Sequence, residues 1–380
     1  RPLPTCVLLA AIVFAAGRVP SADAIDLVQL KRDGRTLQVA GELVVEAQDG
    51  GLLLRAADGV LWAVPPEEIV THETNERPFV PDDAAALAKS LVDELGDGFA
   101  VHQTAHYVIA YNTSRAYAQW CGALYERLYQ SYFNYWERRG VELVEPPQPL
   151  VAVVFDSKAA YVAYARRDLG DSAGAIIGYY NLQSNRVAMY DLASASTRGD
   201  RLGTMAQVNE VLAQPQATTT VATIIHEATH QLAFNTGVHQ RLADIPLWLS
   251  EGFAMYFETP DLSSAKGWRT IGAVNRPRLV RFRQSLRSRR PDALETMLAS
   301  DDQFRDPKAA LDAYAQAWAL NYFLIQRYPE QYTQYLKVMA AKGPLLTDTP
   351  ETRLNDFDHA FGKPAKEIDA EFLAYLRRLN

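Results

Sequence analysis

His226, Glu227 and His230 stand in the order His-Glu-Ala-Thr-His within a run rich in apolar residues. On a helix, positions four apart share a face, so both imidazoles can point at one metal ion while Glu227 sits beside it. Zinc held for catalysis takes three protein ligands and keeps one open position. Glu251, in the string Leu247-Trp248-Leu249-Ser250-Glu251-Gly252-Phe253, is the natural third ligand, because an unpaired carboxylate in so apolar a helix would be costly to bury. The chemistry this pattern serves is metal-assisted hydrolysis, with Glu227 as general base.

The element carrying the two histidines runs from Thr218 to Phe234, with Val221, Ile224, Ile225, Ala228, Leu232 and Ala233 and neither Gly nor Pro inside it. It reads as a mostly buried helix, stopped by Asn235 and Gly237. Positions 233 and 236, where a metzincin carries Gly and His, hold Ala233 and Thr236, which excludes that class. His239 is an alternative ligand, although its setting, Gly237-Val238-His239-Gln240-Arg241, reads as a solvated loop.

The pair HEATHQ (226–231) and LWLSEGFAMYFE (247–258) resembles the gluzincin metallopeptidases, and the second string is similar to the ligand helix of M1-type aminopeptidases. From about Phe99 onward the chain also resembles an uncharacterised bacterial family described only as a domain of unknown function with a gluzincin-like motif. Its marks here are Gly178-Tyr179-Tyr180-Asn181, the run from Asn185 to Asp191, and Tyr314-Ala315-Gln316-Ala317-Trp318. The resemblance implies His226, His230 and Glu251 as zinc ligands and Glu227 as the base. It implies Glu258 as an acidic group orienting a ligand histidine, against the competing reading of a solvated helix end. It implies Tyr314 as a donor to the developing oxyanion, against core packing beside Trp318 and Tyr322. The GxMEN motif by which M1 enzymes grip an amino terminus is missing, so aminopeptidase specificity is not implied.

With 380 residues and 48% hydrophobic content, the chain can bury a sizeable core. A formal charge of −7 gives no general attraction to nucleic acid or to anionic membranes. Arg1, an apolar run from Cys6 to Gly17 and the small residues Ser21-Ala22-Asp23-Ala24 read as an export signal over 1–24, too short for a membrane span. The protein is therefore expected to be exported, periplasmic or extracellular, with no stable membrane span after cleavage. Cys121, beside Trp120 and Leu124, reads as a buried inert thiol rather than a nucleophile.

The fold expected is α+β: a small β unit at 25–80, a connecting segment at 81–98, and a two-lobed zincin-like domain. Asp49-Gly50-Gly51 and Asp58-Gly59 are hairpin-type turns between short Val- and Leu-rich strands. The upper lobe, 99–262, alternates strand and helix: a strand at 106–111, an aromatic helix at 114–139, a strand at 150–155 and a helix at 158–167. A hairpin follows, pairing 175–180 with 186–190. In gluzincin-like folds an edge strand beside the active helix pairs with an extended peptide, which assigns substrate binding to Arg186, Val187, Ala188, Met189 and Tyr190. The lower lobe, 263–380, reads as helices at 277–289, 307–327, 331–341 and 364–379. The arginines between Arg276 and Arg290 read as the wet face of an amphipathic helix, or else as an anionic recognition surface. Together these readings point to an exported zinc metallopeptidase acting on peptides or proteins. The rival reading is a non-catalytic cell-envelope binding protein in which zinc is structural.

Overall fold

The computed structural model describes residues 24–193, 203–214, 217–259 and 271–379. The expected export segment, apart from Ala24, lies outside the described residues. An antiparallel sheet comes first, built from β1 (Ile25–Arg32), β2 (Arg35–Glu46), β3 (Leu52–Ala56), β4 (Leu61–Val64) and β5 (Ile69–Asn75) in the order β4-β3-β2-β1-β5. Asp33 and Gly34, both at positive φ, close the β1–β2 hairpin in two residues. Val28, Leu30, Val39, Leu52, Leu54 and Val64 form a small core of their own.

Helix α1 (Ala84–Leu95) follows, its first turn capped by the Asp83 carboxylate. Within the connecting segment this helix packs Leu87 and Leu91 into the second sheet. That sheet contains β6 (Ala100–Gln103), β7 (Tyr107–Tyr111), β8 (Leu150–Phe155), β9 (Gly178–Asn181) and β10 (Arg186–Tyr190), in the order β6-β7-β8-β10-β9. Strands β7, β8 and β10 are mutually parallel, while β6 and β9 are antiparallel edges. Every residue of β7 and β8 is buried, as continuous apolar runs covered on both faces require.

One face carries α1 and α3 (Lys158–Leu169). The other carries the aromatic helix α2 (Arg115–Glu137), capped by Ser114, together with the helix bearing the His-Glu-x-x-His pattern. After α4 (Met205–Leu212), that helix is α5 (Thr218–Asn235), which ends at Thr236 and Gly237, the glycine at φ +80°. Then come α6 (Leu247–Phe257), α7 (Arg276–Ser285), α8 (Ala293–Ala299), α9 (Asp302–Arg305), α10 (Ala310–Arg327), α11 (Pro329–Ala340), α12 (Pro350–Phe361) and α13 (Ala365–Arg378). One continuous apolar core joins the α2/α5 side of the sheet to these helices. The α+β class expected from the sequence is the class observed. No described helix is long and apolar enough to cross a membrane.

One assignment is overturned. Residues Arg186, Val187, Ala188, Met189 and Tyr190 do not form an edge strand, because β10 pairs with β8 on one side and β9 on the other. Its backbone is fully engaged, and Arg186, Val187, Ala188 and Met189 are buried. The exposed edge of the hairpin is β9.

Candidate metal centre

Helix α5 presents His226 and His230 on one face, one turn apart, and α6 packs across it with Glu251 facing them. His226 Nε2 lies 3.0 Å from His230 Nε2 and 3.1 Å from Glu251 Oε2, and His230 Nε2 lies 3.6 Å from Glu251 Oε1. Two nitrogens and a carboxylate at roughly 2.0–2.2 Å from a tetrahedral ion would stand about 3.3–3.6 Å apart. The observed separations are within a few tenths of an ångström of that triangle, so this donor set fits a divalent ion. The His226, His230 and Glu251 side chains are 13%, 11% and 17% exposed, so the cluster is mostly buried yet not sealed from solvent.

The packing that brings these groups together is specific. Helix α6 starts after Pro246, and its first N–H, on Leu247, donates to Asp301 Oδ1 at 2.9 Å, placing an anion at the helix amino terminus. Asp301 is itself held by the buried Arg353, which also pairs with Asp244. On its far side α6 lies against α10 with no room to spare: a Cβ on Gly252 would fall 2.5 Å from Ala317 O and 1.9 Å from Asn321 Nδ2.

Glu258, immediately after α6, is not a solvated helix end. Its Oε1 accepts from His226 Nδ1 at 2.8 Å, and its Oε2 accepts from Asn275 Nδ2 at 3.0 Å. When a metal displaces the Nε2 proton, the Nδ1 proton kept on Glu258 would hold the ring with its Nε2 lone pair toward the cluster, the tautomer a metal ligand needs. Burial disfavours the His226 cation, but hydrogen bonds to Glu251 and Glu258 outweigh it and hold its pKa well above the ordinary imidazole range. Burial likewise opposes ionisation of Glu251, yet His230 and His226 beside it keep its carboxyl below the usual carboxylate range.

Glu227 lies outside the ligand triangle, and its Oε2 accepts the backbone N–H of Tyr180 in β9 at 2.8 Å. Burial pushes its pKa up, partly offset by the two histidines. The Tyr314 phenol is raised too, first by the negative charge of Glu251, then by burial and by Glu227, which puts it within electrostatic reach of the cluster. Its ring packs edge-on against Phe304, and the Arg278 guanidinium lies 6.0 Å from its centre.

His239 departs from expectation. It is 2% exposed, wedged between Phe234 and Phe253, with Nδ1 donating to Val238 O. Burial pushes its pKa down to about 3, so it is a neutral packing residue, and it is not among the three converging ligands. His102 lies in β6 and His106 immediately precedes β7, where it is bonded to Glu126 and stacked on Tyr129. Of the arginine cluster, Arg289 is buried against Asp369 and Arg281 pairs with Asp312, so the cluster is not one open cationic face. Arg278 alone approaches the centre, 3.7 Å from Glu258 Oε1. Asn275 and Tyr180 were not legible as site residues, since only tertiary packing brings them to the cluster.

An α+β chain with a His, His, Glu triangle able to hold a metal is thus defined by its geometry. Residues 220–346 match the model of a family described as Protein of unknown function (DUF1570). The matched stretch contains His226, Glu227, His230, Glu251, Glu258 and Tyr314. No curated protein matches the chain.

Proposed function

We propose that this protein is an exported zinc metallopeptidase of gluzincin type. The observation that carries the reading is the division of labour around α5: His226, His230 and Glu251 converge as ligands, while Glu227 stands beside them, bonded to an edge strand instead. A bound zinc ion would supply Lewis acidity toward a scissile carbonyl and lower the pKa of water toward about 7. Glu227 then takes a proton from the attacking water and passes it to the leaving nitrogen. Burial raises its pKa above the ordinary carboxylate value, which makes it a stronger base than an exposed glutamate. Tyr314, whose phenol feels the charges of Glu251 and Glu227, is the candidate donor to negative charge developing on the carbonyl oxygen, and its raised pKa keeps it protonated for that purpose. Strand β9, the sheet edge nearest the base, is the surface along which an extended peptide would add.

Export is supported by the composition of 1–24 alone and is tested by the amino terminus of protein recovered from outside the producing cell's cytoplasm. A structural zinc site normally closes with four protein ligands; among the described residues three side chains converge, which favours the catalytic reading. The test is zinc content and cleavage of a mixed peptide library by the wild type and Glu227→Gln. The wild type is expected to bind about one zinc and to cleave in a chelator-sensitive way, and the variant to keep its metal while losing about 10²–10⁴-fold in rate. Undiminished cleavage by zinc-loaded Glu227→Gln would remove the base from the mechanism, and wild-type protein that binds zinc without cleaving would favour the binding-protein reading.

A further inference from the structure

Arg241, in the segment between α5 and α6, is 8% exposed, yet its guanidinium is spent on neutral partners. Nε donates to Leu182 O at 2.8 Å, Nη2 to Gln183 O at 2.8 Å and Nη1 to Gly59 O at 2.9 Å. These carbonyls belong to two different turns. Gly59 closes the β3–β4 hairpin of the first sheet, and Leu182 and Gln183 lie in the β9–β10 turn of the second. Leu61 N–H also donates to Gln183 O at 2.8 Å, so the two sheets are bonded directly at the same point. Burying a cation is costly unless several hydrogen bonds offset it, and here the bonds that do so all serve to join these turns.

From the opposite side α5 grips the same hairpin. Gln231 and Asn235 follow Glu227 at intervals of four, on the face that meets β9 and β10. Gln231 Nε2 donates to Val151 O at 2.9 Å and to Asn185 O at 2.8 Å, and the Asn235 and Asn185 side-chain amides exchange bonds of 2.7 and 2.8 Å. Tyr180 Oη donates to Asn185 Oδ1 at 2.8 Å, one residue's own bridge across the turn, while its N–H holds Glu227. The hairpin is therefore clamped between the active helix and the first sheet.

We infer that Arg241 is a positioning residue that ties the first sheet to the β9–β10 turn, making that sheet a brace that fixes β9 against Glu227. The catalytic consequence rests on the peptidase reading, whereas the mechanical one does not.

The test is hydrogen exchange, followed by mass spectrometry, on the full chain as wild type, Arg241→Ala and Arg241→Lys. Amides in 178–186 are expected to exchange about tenfold faster in Arg241→Ala, with those of α10 unchanged, and millimolar ethylguanidinium is expected to restore protection. If Arg241→Ala fails to fold, Arg241→Lys, whose ammonium cannot span three carbonyls in one plane, is read in the same way. For zinc-loaded protein, KM for a peptide is expected to rise about tenfold while kcat stays within about threefold. Unchanged exchange over 178–186, or acceleration spread evenly over the chain, overturns the brace. Selective loosening in a protein whose wild type never cleaves peptides keeps the brace and discards the peptidase.

Discussion

His226 is engaged at both ring nitrogens, and that double engagement sets how firmly the centre can hold a metal. Nε2 faces His230 and Glu251, and Nδ1 is fixed by Glu258, itself steadied by Asn275. Removing the Glu258 carboxylate frees the ring and lowers the basicity of Nε2. Glu258→Ala is therefore expected to weaken zinc binding by about 10–100-fold, and Glu258→Gln by less, since an amide oxygen can still accept from Nδ1. Competition with a chromogenic chelator measures this, and equal affinities in all three proteins would show that Glu258 does not act through His226. At this scale the sequence was legible where spacing on a single helix decides geometry: His226, Glu227 and His230 come from one helix, and Glu251 from an apolar helix in which a carboxylate needs a partner. Glu258 stayed open between two readings because its role depends on where α6 crosses α5, which no local spacing encodes. His239 was misread as solvated because Gly237 and Gln240 flank it, while Phe234 and Phe253, which bury it, are contributed by the two helices on either side of its segment.

The position of Glu251 is set by the crossing of α6 and α10, and Gly252 is what allows it. Asn321 caps the contact by donating to Trp248 O at 2.8 Å and Ala317 O at 2.9 Å, and Tyr332 donates to Asn321 Oδ1. A methyl group at Gly252 would collide with both Ala317 O and the Asn321 amide, so the helices must move apart and carry Glu251 with them. Gly252→Ala is expected to cost about 1–3 kcal/mol by overpacking, despite the better helix propensity of Ala, and to weaken zinc binding as well. Urea titration and metal titration check the two effects, and a variant unchanged in both would show that the crossing is soft. The elements themselves were largely readable, from the all-apolar strands β7 and β8 to the amphipathic helices of the second half. The exchange of β10 for β9 as the edge was avoidable in physical terms. Arg186 to Tyr190 lacks the polar alternation of a half-solvated strand, and such a run belongs inside a sheet. Helix α12 was passed over although Thr349, Pro350 and Gly362 mark its ends and Leu354, Phe357 and Phe361 share a face, because polar residues dominate between them. Four residues in β6 are too few to show a period.

For the whole molecule, His226, His230 and Glu251 lie on two helices that belong to the large continuous core, whereas the first sheet has a small core of its own. Cys121, the free cysteine among the described residues, is fully buried on α2, and burial pushes its thiol pKa well up, so it offers neither a cross-link nor a reactive group there. A metal joining α5 to α6 is then a cross-link of a different kind, acting on the folded state through mass action. At free zinc about 100 times the dissociation constant, binding contributes about 2.7 kcal/mol. In a chain of this size that corresponds to a shift of a few degrees in the melting temperature. Calorimetry in zinc and in chelator is expected to show the main transition falling by that amount on metal removal, and His226→Ala is expected to melt at one temperature in both. The contrast matters because chelators can perturb proteins nonspecifically: a shift that persists in His226→Ala would place the effect elsewhere. If the wild type melts at the same temperature with zinc and with chelator, the triangle of His226, His230 and Glu251 holds no ion of consequence, and the roles proposed for Glu227, Tyr314 and strand β9 in catalysis lose the centre on which they depend.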